Sequence, residues 1–103
     1  MTERHAARRH AYKGEPVDVV IDVRSRLEFW LGHLEGAICV PVDVLPVRVG
    51  TTPTLTRDAH VMVYCASGAR SAMAAGQLRA LGFRRVTDAG GFAEASRHYV
   101  AAT

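Results

Sequence analysis

Cysteine is scarce in this sequence: Cys39 and Cys65 are the only two among 103 residues, which excludes a disulfide scaffold. No apolar run approaches the ~20 residues of a membrane-crossing helix. The first fourteen residues, MTERHAARRHAYKG, have the positive charge of an export signal but no apolar stretch or cleavage site behind it. Aromatic residues make up only 7%, and no basic stripe is interleaved with them, so a net charge of +3 does not point to nucleic acid. Lysine is nearly absent, since twelve of the thirteen basic residues are Arg, a bias that composition alone can carry. Acid is missing locally: no Asp or Glu lies between Ala59 and Thr87, although Arg70, Arg79, Arg84 and Arg85 do. These absences leave a reduced, soluble, cytoplasmic protein as the expectation, with neither membrane nor nucleic acid as partner.

What remains is ordinary globular material, 49% hydrophobic and 22% charged. The length suits one domain and is enough to bury a core without a disulfide or a structural metal. Residues 1–14 read as an N-terminal arm, frayed or helical, and residues 15–103 as a single domain. His5 and His10 lie in the arm. Their spacing of five does not place them on one helical face, so no metal site is expected there.

The apolar, β-branched run Val17–Val23 reads as a buried strand. Ser25 then suits a helix N-cap, with Glu28 as its capping-box partner. Leu27, Trp30 and Leu31 share one face of that helix, and Gly32 stops it. Ala37–Val40 is a second strand, Asp43–Val49 a helical turn, and TTPTLTRD a polar loop. His60–Cys65 is the clearest strand, apolar enough to be covered on both faces. In the segment after it, Ala74, Leu78 and Leu81 repeat at helical spacing before Gly82. A strand at Arg85–Asp88, a turn at Gly90-Gly91 and a helical segment from Phe92 complete the chain. Alternating strands and helices imply an α/β domain with a mostly parallel sheet and helices on both faces. Its reactive crevice lies beyond the carboxyl ends of the strands, where Cys65 sits.

Cys65-Ala66-Ser67-Gly68-Ala69-Arg70-Ser71 runs from that strand end into a helix start. The first amides of a helix have no partner within it, and small side chains let the loop close with its N–H groups turned inward. Such a ring, backed by the helix dipole, is an anion site, and a sulfur at its centre ionises readily. Arg70 falls in the first helical turn, where the dipole disfavours a cation, so an anion is expected beside it. Cys65 is thus a candidate nucleophile, with Ala66, Ser67, Gly68, Ala69, Arg70 and Ser71 as its anion-binding loop. The bland alternative is a packed cysteine and a solvated arginine.

With these residues in place, the stretch 17–94 resembles the rhodanese family of sulfurtransferases. The motifs are Asp22, Arg24 and Glu28, then Gly32-His33-Leu34-Glu35-Gly36-Ala37-Ile38-Cys39-Val40-Pro41. The loop Cys65–Ser71, the segment Leu78–Phe83 and the pair Gly90-Gly91 follow in family order. The resemblance implies a three-layer α/β sandwich on a mostly parallel five-stranded sheet. It also implies sulfur transfer through a Cys65 persulfide, from thiosulfate or another persulfide donor to a thiophilic acceptor. No metal or other cofactor is implied. The donor is a small anion drawn in by Arg70, and the acceptor is a thiol or a sulfur-carrier protein.

Asp22, Arg24 and Glu28 match supporting positions of that family. The purely structural alternative has Asp22 capping the neighbouring helix and Arg24 pairing with Glu28. His33 matches an architectural position, and Cys39 reads as packing. Two departures stand out: Glu35 where the family often has Pro, and Ala95 where it has Trp. Other functions fit less well. A Cys-loop-Arg phosphatase or arsenate reductase has five residues between Cys and Arg, and this loop has four. A non-catalytic interaction module has no need of an intact loop around a cysteine, whereas a persulfide carrier that works only with a partner stays as an alternative. A Cys39–Cys65 redox pair requires Cα atoms within about 7 Å.

Overall fold

The computed structural model describes residues 9–102. A parallel sheet of four strands forms the middle layer, in the order β4(Ile38–Cys39), β3(Val19–Asp22), β5(His60–Cys65), β6(Arg85–Gly91). The alternation of side chains along β5 builds two cores from one strand. Val61, Val63 and Cys65 pack on one face with Ala74, Ala75 and Leu78 of the helix Ala69–Ala80. Met62 and Tyr64 pack on the other with Tyr12, Leu34, Ala89 and Ala95. The sandwich is therefore α/β with three layers, as expected.

The expected fifth strand is not part of this sheet. His10–Tyr12 (β1) instead pairs antiparallel with Glu15–Val17 (β2) and with Tyr99–Val100 (β7) in a separate three-stranded sheet. The expected arm thus ends in a strand, and its residues 1–8, His5 included, lie outside the described residues. His10 serves this junction. Its Nδ1 accepts from the Ala102 amide at 2.9 Å and lies 3.1 Å from the Tyr99 hydroxyl. The expected strand Val17–Val23 is split at Asp18, whose carboxylate accepts from the His60 amide at 2.8 Å. Ala95 is fully buried, in a core cluster against which Phe92 and Tyr99 also pack.

Helix α1 (Arg26–Leu31) has the expected capping box: Ser25 Oγ accepts from the Glu28 amide, and Glu28 Oε1 from the Ser25 amide. The face shared by its apolar residues is turned to solvent. Leu27, Trp30 and Leu31 are 65%, 77% and 71% exposed, and no residue of the helix is buried. The repeat is present, but none of the described elements lies over it. Trp30→Ser should therefore change the unfolding free energy by less than about 0.5 kcal/mol in urea titration. A loss of about 3 kcal/mol, as for a core aromatic, would show that this face is covered.

Asp43–Val49 becomes helix α2 (Leu45–Arg48) and a 3-10 turn over Val49–Thr51. Helix α3 (Ala69–Ala80) ends as its Gly82 suggests. Gly82 has φ +99°, its amide donates to Arg79, and the Phe83 amide donates to Leu78. Helix α4 (Phe92–His98) follows β6 directly. No helix among the described residues is long and apolar enough to cross a membrane.

Candidate active site

Cys65 is the last residue of β5, and the chain from Ala66 to Gly68 turns directly into α3. Gly68 makes the turn at φ +111°, a conformation that L side chains rarely adopt. The loop is pressed from the other side by the end of β6. A Cβ on Gly91 would lie 2.7 Å from the Ala66 carbonyl oxygen, so only glycine lets the two backbones meet there. The Phe92 amide donates to the same carbonyl at 3.3 Å. The late Gly-Gly pair is thus a support for the loop.

The loop wraps the sulfur. The Gly68 amide donates to Cys65 Sγ at 3.0 Å and the Ser71 amide at 3.3 Å. Ser71 is fully buried, and its hydroxyl donates back to the Gly68 carbonyl at 3.0 Å, which pins the ring shut. Burial pushes the Cys65 thiol up, but hydrogen bonds from Ser71, then Gly68 and Ser67, outweigh it and leave the pKa lowered. Cys65 itself is 1% exposed, so the sulfur lies at the floor of the loop.

The charged residues are arranged differently from the sequence expectation. Asp22 does not cap a helix. It is fully buried at the end of β3 and takes Arg24 in a fork: Nε lies 3.0 Å from each carboxylate oxygen, Nη2 is 2.7 Å from Oδ2, and the Arg24 amide donates to Oδ1. Arg24 Nη2 also donates to the Gly32 carbonyl at 2.6 Å, tying the end of α1 to the sheet. The guanidinium lies over the Phe92 ring, 4.7 Å from its centroid. Glu28, which the purely structural alternative paired with Arg24, pairs with Arg70. Arg70 Nη1 reaches Oε1 at 2.8 Å and Nη2 reaches Oε2 at 3.1 Å. Hydrogen bonding to Arg70 first, and to the Ser25 amide second, holds the Glu28 carboxyl at about 2. The side chain expected to wait for an anionic donor is already engaged by an internal carboxylate.

An open cavity of about 460 Å³ adjoins the loop, walled by Arg24, Arg26, Val42, Asp43, Val44 and Arg70. Ala66, Ser67 and Ala69 form the exposed part of the loop. His33 is exposed, stacks on Phe29 and has Nδ1 2.8 Å from the Phe29 carbonyl. Cys39 is free and half-buried beside β3. It pairs in register with Asp22, which pairs with Tyr64, so β3 lies between Cys39 and β5. Two strand spacings are about 10 Å, beyond disulfide reach. Among the described residues no group of three or more His, Cys, Asp or Glu is placed to hold a metal.

Sequence reasoning missed the hydroxyl of Tyr64, which accepts from the Leu34 amide at 3.0 Å and fixes the chain leaving α1. A tyrosine inside an otherwise aliphatic strand was the available signal, since a buried phenol needs a partner.

The comparisons with known proteins give the family and the fold. The family model described as "Rhodanese-like domain" matches residues 4–98. A sulfurtransferase of Allochromatium vinosum is 33% identical over 81 residues, covering 78% of this chain and 73% of that protein. A tRNA uridine(34) hydroxylase of Cronobacter sakazakii is 30% identical over 84 residues, which are 79% of this chain but only 24% of that protein. In structure the chain is similar to an E. coli rhodanese solved with anions, with TM-score 0.71 and 30% identity over 81% of this chain and 96% of that one. A cysteine at a strand end, two amides on its sulfur and a family match over nearly the whole length lead to one conclusion: the chain belongs to the rhodanese-like domain family, in the sulfur-transfer class.

Proposed function

We propose that this domain is a sulfurtransferase that carries sulfane sulfur on Cys65. The observation that supports this most is the pair of amide hydrogen bonds to Cys65 Sγ, from Gly68 and Ser71. They stabilise negative charge on sulfur and are fixed in place before any substrate arrives. In the first half-reaction the Cys65 thiolate attacks the outer sulfur of the donor. With thiosulfate, the donor's S–S bond breaks, sulfite leaves with the electron pair, and a Cys65 persulfide anion remains. In the second, an acceptor such as cyanide or a thiolate attacks the terminal sulfur, the new S–S bond breaks, and the Cys65 thiolate returns. No separate general base is called for, because the hydrogen bonds that lower the Cys65 pKa favour the thiolate. The loop Ala66–Ser71 holds the terminal sulfur. Asp22 and Arg24 act through position, keeping α1 and therefore Glu28 and Arg70 at the mouth. Two free thiols suit a reducing compartment such as the cytoplasm.

The test is to weigh the intact protein after incubation with thiosulfate or polysulfide. One added sulfur, mapped to Cys65, is expected; no gain, or a gain on Cys39, would end this assignment. The pH dependence follows from the same hydrogen bonds. A lowered pKa keeps the thiolate populated to lower pH, so sulfur loading should persist below the usual thiol pKa of about 8.5 and fall only as pH drops through the lower value. Cys39 moves the other way, raised first by burial and then by Asp22. A titration of thiolate absorbance should show two steps, with Cys65→Ser removing the lower one. A single step at or above the ordinary thiol value would contradict the amide-stabilised thiolate.

A further inference from the structure

Two arginines, Arg24 and Arg70, line the cavity beside the Cys65 loop, and each is engaged. Arg24 is forked onto Asp22, and Arg70 is doubly bonded to Glu28. The cavity wall has a third arginine, Arg26, and a carboxylate, Asp43. Three guanidiniums are thus matched by three carboxylates. The mouth is close to electroneutral even though the chain as a whole carries +3. A small dianion arriving here meets a thiolate and two arginines already held by carboxylates, with Arg26 and Asp43 as unpaired charges of opposite sign on the wall.

We propose that Glu28 determines donor specificity: by occupying Arg70 it turns the site away from free dianionic donors and toward a persulfide, R–S–S⁻, on a neutral or cationic carrier. This inference rests on Cys65 being the sulfur carrier. The transfer balances in the same way for either donor. With a persulfide the Cys65 thiolate attacks the outer sulfur, the donor S–S bond breaks, and R–S⁻ leaves with the electron pair. The two donors differ in what the mouth must give up. To use Arg70 as a counter-charge, thiosulfate has to separate a bidentate ion pair. A donor that brings its own cation leaves that pair intact, and Asp43 on the cavity wall remains to receive it.

The size of the effect follows from exposure. Arg70 and Glu28 side chains are 37% and 34% exposed, so water offsets much of the separation, and a released Glu28 still accepts from the Ser25 amide. Glu28 therefore biases the choice of donor by about five- to tenfold without excluding either.

Glu28→Gln is the informative variant, because glutamine retains the oxygen that accepts from the Ser25 amide and so keeps the capping box. KM for thiosulfate should fall about five- to tenfold while kcat stays within about twofold. With cysteamine persulfide, whose carrier is an ammonium, kcat/KM should stay level or fall. A common shift for both donors, or weaker use of thiosulfate, would overturn the proposal. The wild type offers a check that needs no variant. Its KM for thiosulfate should vary less than about twofold between low and physiological salt, whereas the Glu28→Gln value should climb. A steep salt dependence in the wild type would also overturn it. Weighing the wild type separates the two possible failures. No added sulfur from either donor ends both the carrier role of Cys65 and this specificity; added sulfur with an unmoved donor ratio ends the specificity alone.

Discussion

Cys65→Ser is expected to lower sulfur transfer at least about a thousandfold, because the step that fails has no substitute in the fold. A serine hydroxyl is not ionised near neutrality, and its oxygen cannot form the disulfide-like bond that carries the sulfur. The amides of Gly68 and Ser71 would still point at the vacant anion position, so binding of an anion can survive while turnover does not. Thiocyanate production from cyanide measures the loss. Residual activity above about one part in a hundred would place the chemistry on another residue. The substitution is close in size, so the urea midpoint should move little by comparison, which separates lost chemistry from lost structure.

Asp22→Ala is the second large effect, on stability. Asp22 is fully buried and Arg24 is 7% exposed. Removing the carboxylate leaves the guanidinium in the interior with the Gly32 carbonyl and the faces of Phe92 and Tyr64 for company. Stranding one member of a buried ion pair costs about 3–5 kcal/mol. For a domain this size that is a fall in Tm of about 12–40 °C. A double change that removes both charges, Asp22→Leu with Arg24→Met, should recover much of the loss, because the penalty belongs to the orphaned charge. A single-variant loss below about 1 kcal/mol would show that Arg24 finds water once Asp22 is gone. Activity should fall as well, since Arg24 ties Gly32 at the end of α1 to the sheet and α1 carries Glu28 to Arg70.

Much of this was legible in the residues, and the exceptions have physical causes. His60–Cys65 could be read as a strand to the residue, because a strand covered on both faces has to be apolar throughout. The capping box at Ser25 and the Gly82 stop are local hydrogen-bond patterns, set by spacing alone. The cradle around Cys65 was legible for the same reason. The exposure of Leu27, Trp30 and Leu31 was not: periodicity says which side chains share a face, and the surrounding layers decide whether anything covers it. The ion pair Glu28–Arg70 joins residues 42 apart. Composition around Arg70 showed a lack of acid nearby in sequence and suggested an unpaired cation, which the fold supplies with a carboxylate from the other side. Strand β1 is three residues long and depends on β7 at the opposite end of the chain, so no local pattern announces it.

The pairing of β1 with β7 has a further consequence. Ala11 stands opposite Val100, and the His10 ring receives the Ala102 amide, so the two ends of the described residues lie side by side. A unit whose two ends adjoin can be spliced into a larger polypeptide like a bead on a loop, without prying its layers apart.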